Sequence, residues 1–85
     1  MSFLTRTLLT AEQIAEYAGQ IEPMSDDDFT DEMRKQIRDA GYESRHSAAD
    51  QRVSACYAEA QRRDKIHLYG LAYNGACRDV GVEAA

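Results

Sequence analysis

Tryptophan is absent from this chain of 85 residues, phenylalanine is limited to Phe3 and Phe29, and proline occurs once, at Pro23. Without the bulkiest side chains, a core has to be assembled mainly from Ile, Leu, Val, Ala, Met and the five tyrosines. A core so lean in so short a chain is marginal by itself, and burial against a second copy or another protein would strengthen it. A homodimer is therefore a reasonable expectation. Cysteine is scarce as well. Cys56 and Cys77 are far apart and show no CxxC spacing, so neither a zinc nor a redox motif is signalled; they read as reduced thiols of a cytoplasmic protein, although a bridge between them stays open. Long apolar runs are missing: Thr5-Arg6-Thr7 separates Phe3-Leu4 from Leu8-Leu9, leaving no signal-peptide core and nothing near the ~20 residues of a membrane span. The expectation is a soluble, cytoplasmic protein with no membrane contact.

What is present is a globular composition, 44% hydrophobic and 29% charged, with room for a single domain over residues 1–85. Helix punctuation is legible. Thr10 and Gln13 form the reciprocal pair of a capping box, with Leu9 and Ile14 placed as a hydrophobic staple, so a helix is predicted from Ala11. Its apolar positions Ile14, Tyr17, Ala18 and Ile21 recur at helical spacing, Glu12 and Glu16 fall on the opposite side, and Pro23 stops it. Ser25 and Asp28 repeat the capping grammar, with Met24 and Phe29 as the staple, for a helix whose inner stripe is Phe29, Met33, Ile37 and Ala40. Gly41 is predicted to end that helix in a left-handed conformation, with Tyr42 folding back on Ile37.

Ser47 with Asp50 opens a third helix carrying Ala49, Val53, Cys56, Tyr57 and Ala60 on one face. Beyond Asp64 two patterns compete. Ile66, Tyr69, Tyr73, Ala76 and Val80 fit a helix, and Arg78-Asp79-Val80-Gly81-Val82 echoes Arg38-Asp39-Ala40-Gly41-Tyr42 as a helix ending. Asn74-Gly75 is, against this, a type I′ hairpin signal. The repeated ending favours helix. The fold expected is an all-α bundle of three to four helices, at about 11–22, 26–40, 47–63 and 65–80. No Pro or Gly separates Ser47 from Tyr69, so the last two could instead be one long helix bent near Asp64.

Charge is divided along the chain. Residues 12–43 hold ten Asp and Glu against three Lys and Arg, whereas residues 44–85 hold five against six, within a total of −5 and a pI near 4.8. Helix architecture accounts for part of this. Asp26, Asp27 and Asp28 sit in the first turn of a helix, where unpaired N–H groups and the dipole favour anions, and Asp31, Lys35 and Asp39 stand at i,i+4 spacing. The remainder forms either a solvated face or a recognition surface.

Chemical motifs are few. The stretch from Asp26 puts Asp31 and Ile37 where a calcium loop needs Gly and Glu, so that motif fails. Glu43 and His46 have the Glu-x-x-His spacing of diiron bundles, but in a single copy. His46 and His67 have no signature nucleophile beside them and there is no phosphate-binding glycine loop, so no enzyme, metal or cofactor is expected. Arg62, Arg63 and Lys65 near Tyr69 and Tyr73 mix cations with aromatics as nucleic-acid sites do, yet the acidic pI makes direct nucleic-acid binding the weaker reading.

The leading expectation is a small non-catalytic interaction protein that covers a basic site on a protein partner, one that itself binds nucleic acid, through Asp27, Asp28, Asp31 and Glu32, joined by Glu12 and Glu16. A phage-encoded inhibitor of host defence, such as an anti-CRISPR, suits the size and the lack of catalytic apparatus. The competing expectation is a structural or regulatory homo-oligomer associating through Leu68, Tyr69, Leu71 and Tyr73.

Overall fold

The structure is a computed structural model that describes residues 8–42 and 47–81, and among them the chain is helical without strands: α1 (Ala11–Ile21), α2 (Asp26–Tyr42), α3 (Ala48–Arg62) and α4 (Ile66–Asp79). Asn74-Gly75 lies inside α4, so the hairpin alternative is not adopted.

The helix starts follow the capping grammar. Thr10 Oγ1 accepts from the Gln13 amide at 3.1 Å, and Gln13 Oε1 accepts from the Thr10 amide at 2.9 Å, completing the box. Ser25 Oγ accepts from the Asp28 amide at 3.1 Å, but the Asp28 carboxylate returns no bond, so only the serine half of the second box forms. Ser47 Oγ accepts from the Asp50 amide at 3.1 Å.

The endings are less regular. Gly81 has the expected left-handed backbone, with φ 75° just beyond α4. Gly41 does not: α2 continues through it to Tyr42. Ile37, Arg38 and Gly41 lie along Ala76 and Cys77 of α4 and Val80 just beyond it, and Arg38 reaches Asp79, so tertiary contact extends α2 past the glycine. The contact of Tyr42 with Ile37 falls outside the described residues, as do Glu43 and His46.

Helices α3 and α4 are separated by a tight reversal that contains neither glycine nor proline. Asp64 takes the left-handed conformation at φ 58°, the Lys65 amide donates to Ala60 O at 2.9 Å, and the Asp64 amide donates to Gln61 O at 2.9 Å. These two bonds define a Schellman ending with aspartate in the usual glycine position. Because a Cβ is disfavoured there, Asp64→Gly should stabilise the fold by about 0.5 kcal/mol. A rise in thermal midpoint with unchanged helicity checks this, and a lower midpoint contradicts it.

Consecutive helices reverse direction. Contacts of Leu9 with Gln51, Tyr17 with Cys56 and Ile21 with Arg63 align α1 with α3, while Asp26–Lys65 and Arg38–Asp79 align α2 with α4. Helix α2 packs on both α3 and α4, and α1 rests on α3. The central cluster is Tyr17, Ile21, Phe29, Met33, Cys56, Ala60, Leu68 and Ala72, with Met24, Ile37, Ala55 and Tyr69 packed against it.

All four buried stripes differ from those read in the sequence. On α1, Tyr17 and Ile21 are buried, but Ile14 is half-buried and Ala18 is exposed. On α2, Gln36 is buried beside Phe29 and Met33, and Ile37 and Ala40 are only half-buried. On α3, Glu59 takes the buried place expected for Tyr57, because two arginines compensate its charge while Tyr57 turns outward to meet Tyr69 edge-on, centroids 5.0 Å apart. On α4, the buried positions are Leu68, Ala72, Gly75 and Ala76, whereas Ile66 and Tyr73 are exposed. Gly75 explains the last shift. A Cβ there would stand 2.9 Å from Arg34 Cδ and Nε, so α4 turns its small residues to α2 to make room for the arginine that crosses it.

Candidate functional site

Ion pairing decides which charges are left to act outside the molecule. Arg34 forks onto Asp79, its Nε 2.7 Å from Oδ2, and Arg38 reaches the same carboxylate at 3.3 Å. Arg62 and Arg63 converge on Glu59 from the i,i+3 and i,i+4 positions, each at 2.7 Å. Asp26 takes both Lys65 and Arg63. Three carboxylates thus engage five of the cations. Hydrogen bonds from these partners hold all three carboxyls below their ordinary range: Lys65 first for Asp26, Arg62 for Glu59, and Arg34 for Asp79.

The cluster considered for nucleic acid is therefore engaged in pairs within the chain, although the side chains of Arg62 and Lys65 stay 56% and 43% exposed. Arg63, with a side chain only 10% exposed, gives its Nε to Glu59 and Nη1 to Asp26, and Nη2 lies within 3.1 Å of the carbonyls of Ile21, Glu22 and Met24. Those oxygens include orphan acceptors at the end of α1, which has no basic residue in its own last turn. The guanidinium also covers the Phe29 ring, 4.3 Å from its centroid. Sequence reading missed this role. The Glu59 to Arg62 and Arg63 spacings are visible locally, but the contacts to α1 and Asp26 join residues about forty positions apart.

What is left over is acidic. Glu12 and Glu16 are exposed on α1, and Asp27, Asp28 and Asp31 are exposed on the first half of α2. None of the five carboxylates has an ion pair; Asp31 feels Arg34 through space. Asp27 and Asp31 stand one turn apart on the outer side of α2, and Glu12 and Glu16 are likewise one turn apart on α1. The pairs expected from Lys35 to Asp31 and Asp39 do not form. Lys35, Arg52 and Arg78 are the cations without an ion pair among the described residues.

Glu32 differs from the other acids. Its Oε2 accepts from the Tyr17 hydroxyl at 2.7 Å and from Gln36 Nε2 at 2.9 Å, joining α1 to α2. The Tyr17 oxygen also lies 3.4 Å from Cys56 Sγ. Because the phenol proton is committed to the carboxylate, the thiol is the donor in that contact, giving a chain from Cys56 through Tyr17 to Glu32. Burial, followed by these neighbours, raises the Tyr17 phenol well above its usual 10. Burial likewise pushes the Cys56 thiol up to about 11, so it is a core group rather than a reactive one.

The apolar set on α4 is split. Leu68 is in the core, Tyr69 is half-buried against it, and Leu71 and Tyr73 are exposed at 58% and 50%. At ~100° per residue, Leu71 and Tyr73 lie on opposite flanks of the helix. Among the described residues no three His, Cys, Asp or Glu side chains gather as a metal site requires, and no helix is long and apolar enough to cross a membrane. The chain matches no protein-family model, no curated protein and no solved structure.

Proposed function

We propose that this chain is a non-catalytic protein-binding module whose acidic surface, carried by Glu12, Glu16, Asp27, Asp28 and Asp31, occupies a basic site on a partner that itself binds nucleic acid. The single observation behind this reading is the allocation of charge. The fold spends five cations on Asp26, Glu59 and Asp79, and leaves exposed carboxylates concentrated on α1 and the first half of α2. A field of one sign steers encounter with the opposite sign and rejects like-charged surfaces. Covering the basic site would block its nucleic acid. A phage-encoded inhibitor of host defence, such as an anti-CRISPR, is the setting that the size and acidity suit.

The test replaces Asp27, Asp28 and Asp31 together by Lys and leaves Glu32 alone, because Glu32 helps to hold α1 against α2. Wild-type chain immobilised at low salt should retain basic, nucleic-acid-binding proteins from a host extract and release them to duplex DNA or high salt. The reversed chain should retain none of them while keeping its helical circular dichroism. Retention by both forms, or retained proteins that duplex DNA does not displace, contradicts the proposal.

A further inference from the structure

Helix α4 carries two apolar stripes, and the more regular one is used only in part by the fold, Tyr69 packing against the core while Cys77 and Val80 are half-buried. Its buried side is Leu68, Ala72, Gly75 and Ala76. A second stripe, Ile66, Tyr69, Tyr73, Cys77 and Val80, advances by three, four, four and three residues within an arc of roughly 80° and contains no charge. Ile66 is 40% exposed and Tyr73 50% exposed, and Tyr57 of α3, 40% exposed, extends the face through its edge contact with Tyr69. The core that the described residues bury is thin, since four of their ten buried apolar side chains are alanines.

The face is uneven in a way that complements itself. Near the start of α4, Ile66 and Tyr57 protrude. Near its end, Ile37, Gly41, Tyr73, Ala76, Cys77 and Val80 line an open groove of about 430 Å³. Between the two lies Gly70, exposed, with nothing within 4 Å of where a Cβ would stand. A projection and a recess at opposite ends of one face, with a bare backbone between them, suit an isologous two-fold contact, in which each copy's projection enters the other's recess.

We propose that a second copy of this chain docks on the outer stripe of α4, antiparallel to it, about a two-fold axis passing between Gly70 and Tyr73. Ile66 of one copy then faces Cys77 of the other, and Tyr73 packs over Gly70. Charge favours this face over any other for self-association. The stripe is uncharged, Arg38 is the one charged residue lining the groove among the described residues, and Arg38 is held by Asp79. The acidic surface of α1 and α2, by contrast, repels its own copy.

Sedimentation and light scattering on the full chain at high micromolar concentration test this. The wild type should have twice the chain mass of 9.5 kDa. Gly70→Arg adds a side chain where the monomer has open space and replaces a poor helix former, so it should leave the monomer folded while weakening the dimer by at least about tenfold. Tyr73→Arg should do the same, whereas Leu71→Arg, on the opposite flank, should remain dimeric. Ile66→Cys should join to Cys77 of the other copy with a short thiol-reactive cross-linker, and the product should vanish when Cys77 is also changed to Ser. Within one chain these positions are about 16 Å apart along α4, beyond the span of such a reagent. A monomeric wild type, a dimer that survives Gly70→Arg and Tyr73→Arg, or a dimer lacking the link from position 66 to position 77 would overturn the proposal.

Discussion

Arg63→Ala should lower the unfolding free energy by about 3 kcal/mol, the scale at which removing one member of a buried, hydrogen-bonded charge pair is felt. That is a large share of the ~4–13 kcal/mol expected for a chain of this size. Arg63 is placed at the meeting point of three helices. It belongs to the end of α3, it occupies carbonyl oxygens of Ile21, Glu22 and Met24 where α1 ends, and it binds Asp26 where α2 begins. Truncation would leave Glu59, itself only 7% exposed, with Arg62 alone, would free orphan acceptors at the end of α1, and would uncover one face of Phe29.

Arg63→Lys separates geometry from charge. An ammonium supplies a point charge and three donors but cannot fork between Asp26, Glu59 and the carbonyls, so it should recover less than half of the loss. Urea unfolding should show a lower midpoint with an unchanged slope for both variants. A cost below about 1 kcal/mol for Arg63→Ala would contradict the role given to Arg63, because that is the range of an exposed pair.

The second large effect is at alkaline pH. Cys56 and Tyr17 are buried in their neutral forms beside Glu32 and hold their protons more tightly in the folded chain than in the unfolded one. For groups raised in this way, the stabilisation is complete below the unfolded-state values and is lost as pH rises above them. Loss should therefore begin near the ordinary thiol value of 9.0, continue through the ordinary phenol value of 10.0, and reach about 2 kcal/mol from Cys56 by the time pH approaches its folded value of about 11. Cys56→Ala should delay the onset, and Tyr17→Phe should flatten the portion above pH 10. Urea midpoints measured across this range check the prediction. A stability that stays level through pH 11, or an onset that Cys56→Ala does not move, contradicts it.

Local signals were the readable part of this sequence. Thr10 with Gln13, Ser25 and Ser47 each announced a helix start that a side-chain-to-backbone bond then made, and Gly81 announced an ending. The misleading signals were those whose outcome depends on a neighbouring helix. Gly41 carries the same local pattern as Gly81, yet α2 runs through it along α4. Asp64 ends α3 although nothing in its residue type demands a left-handed backbone. The heavier apolar stripe of α4 pointed to Ile66 and Tyr73 as core, because a periodicity argument weighs side-chain size and cannot register that Arg34 lies across Gly75.

The candidate surface was readable to a similar depth. Exposure of Glu12, Glu16, Asp27, Asp28 and Asp31 follows from their helical positions opposite the apolar stripes. The diversion of Glu32 to Tyr17, and of Arg63 and Lys65 to Asp26, does not, because each depends on which helices meet.

The central claim, that pairing within the fold leaves α1 and the first half of α2 as the recognition surface, is tested most directly by titrating an arginine-rich peptide into isotope-labelled chain and following backbone amide shifts. Saturable, salt-sensitive changes should centre on Glu12, Glu16, Asp27, Asp28 and Asp31, leave α4 unmoved, and disappear when Asp27, Asp28 and Asp31 are reversed. Shifts centred on α4, or changes that survive the reversal, would contradict the account.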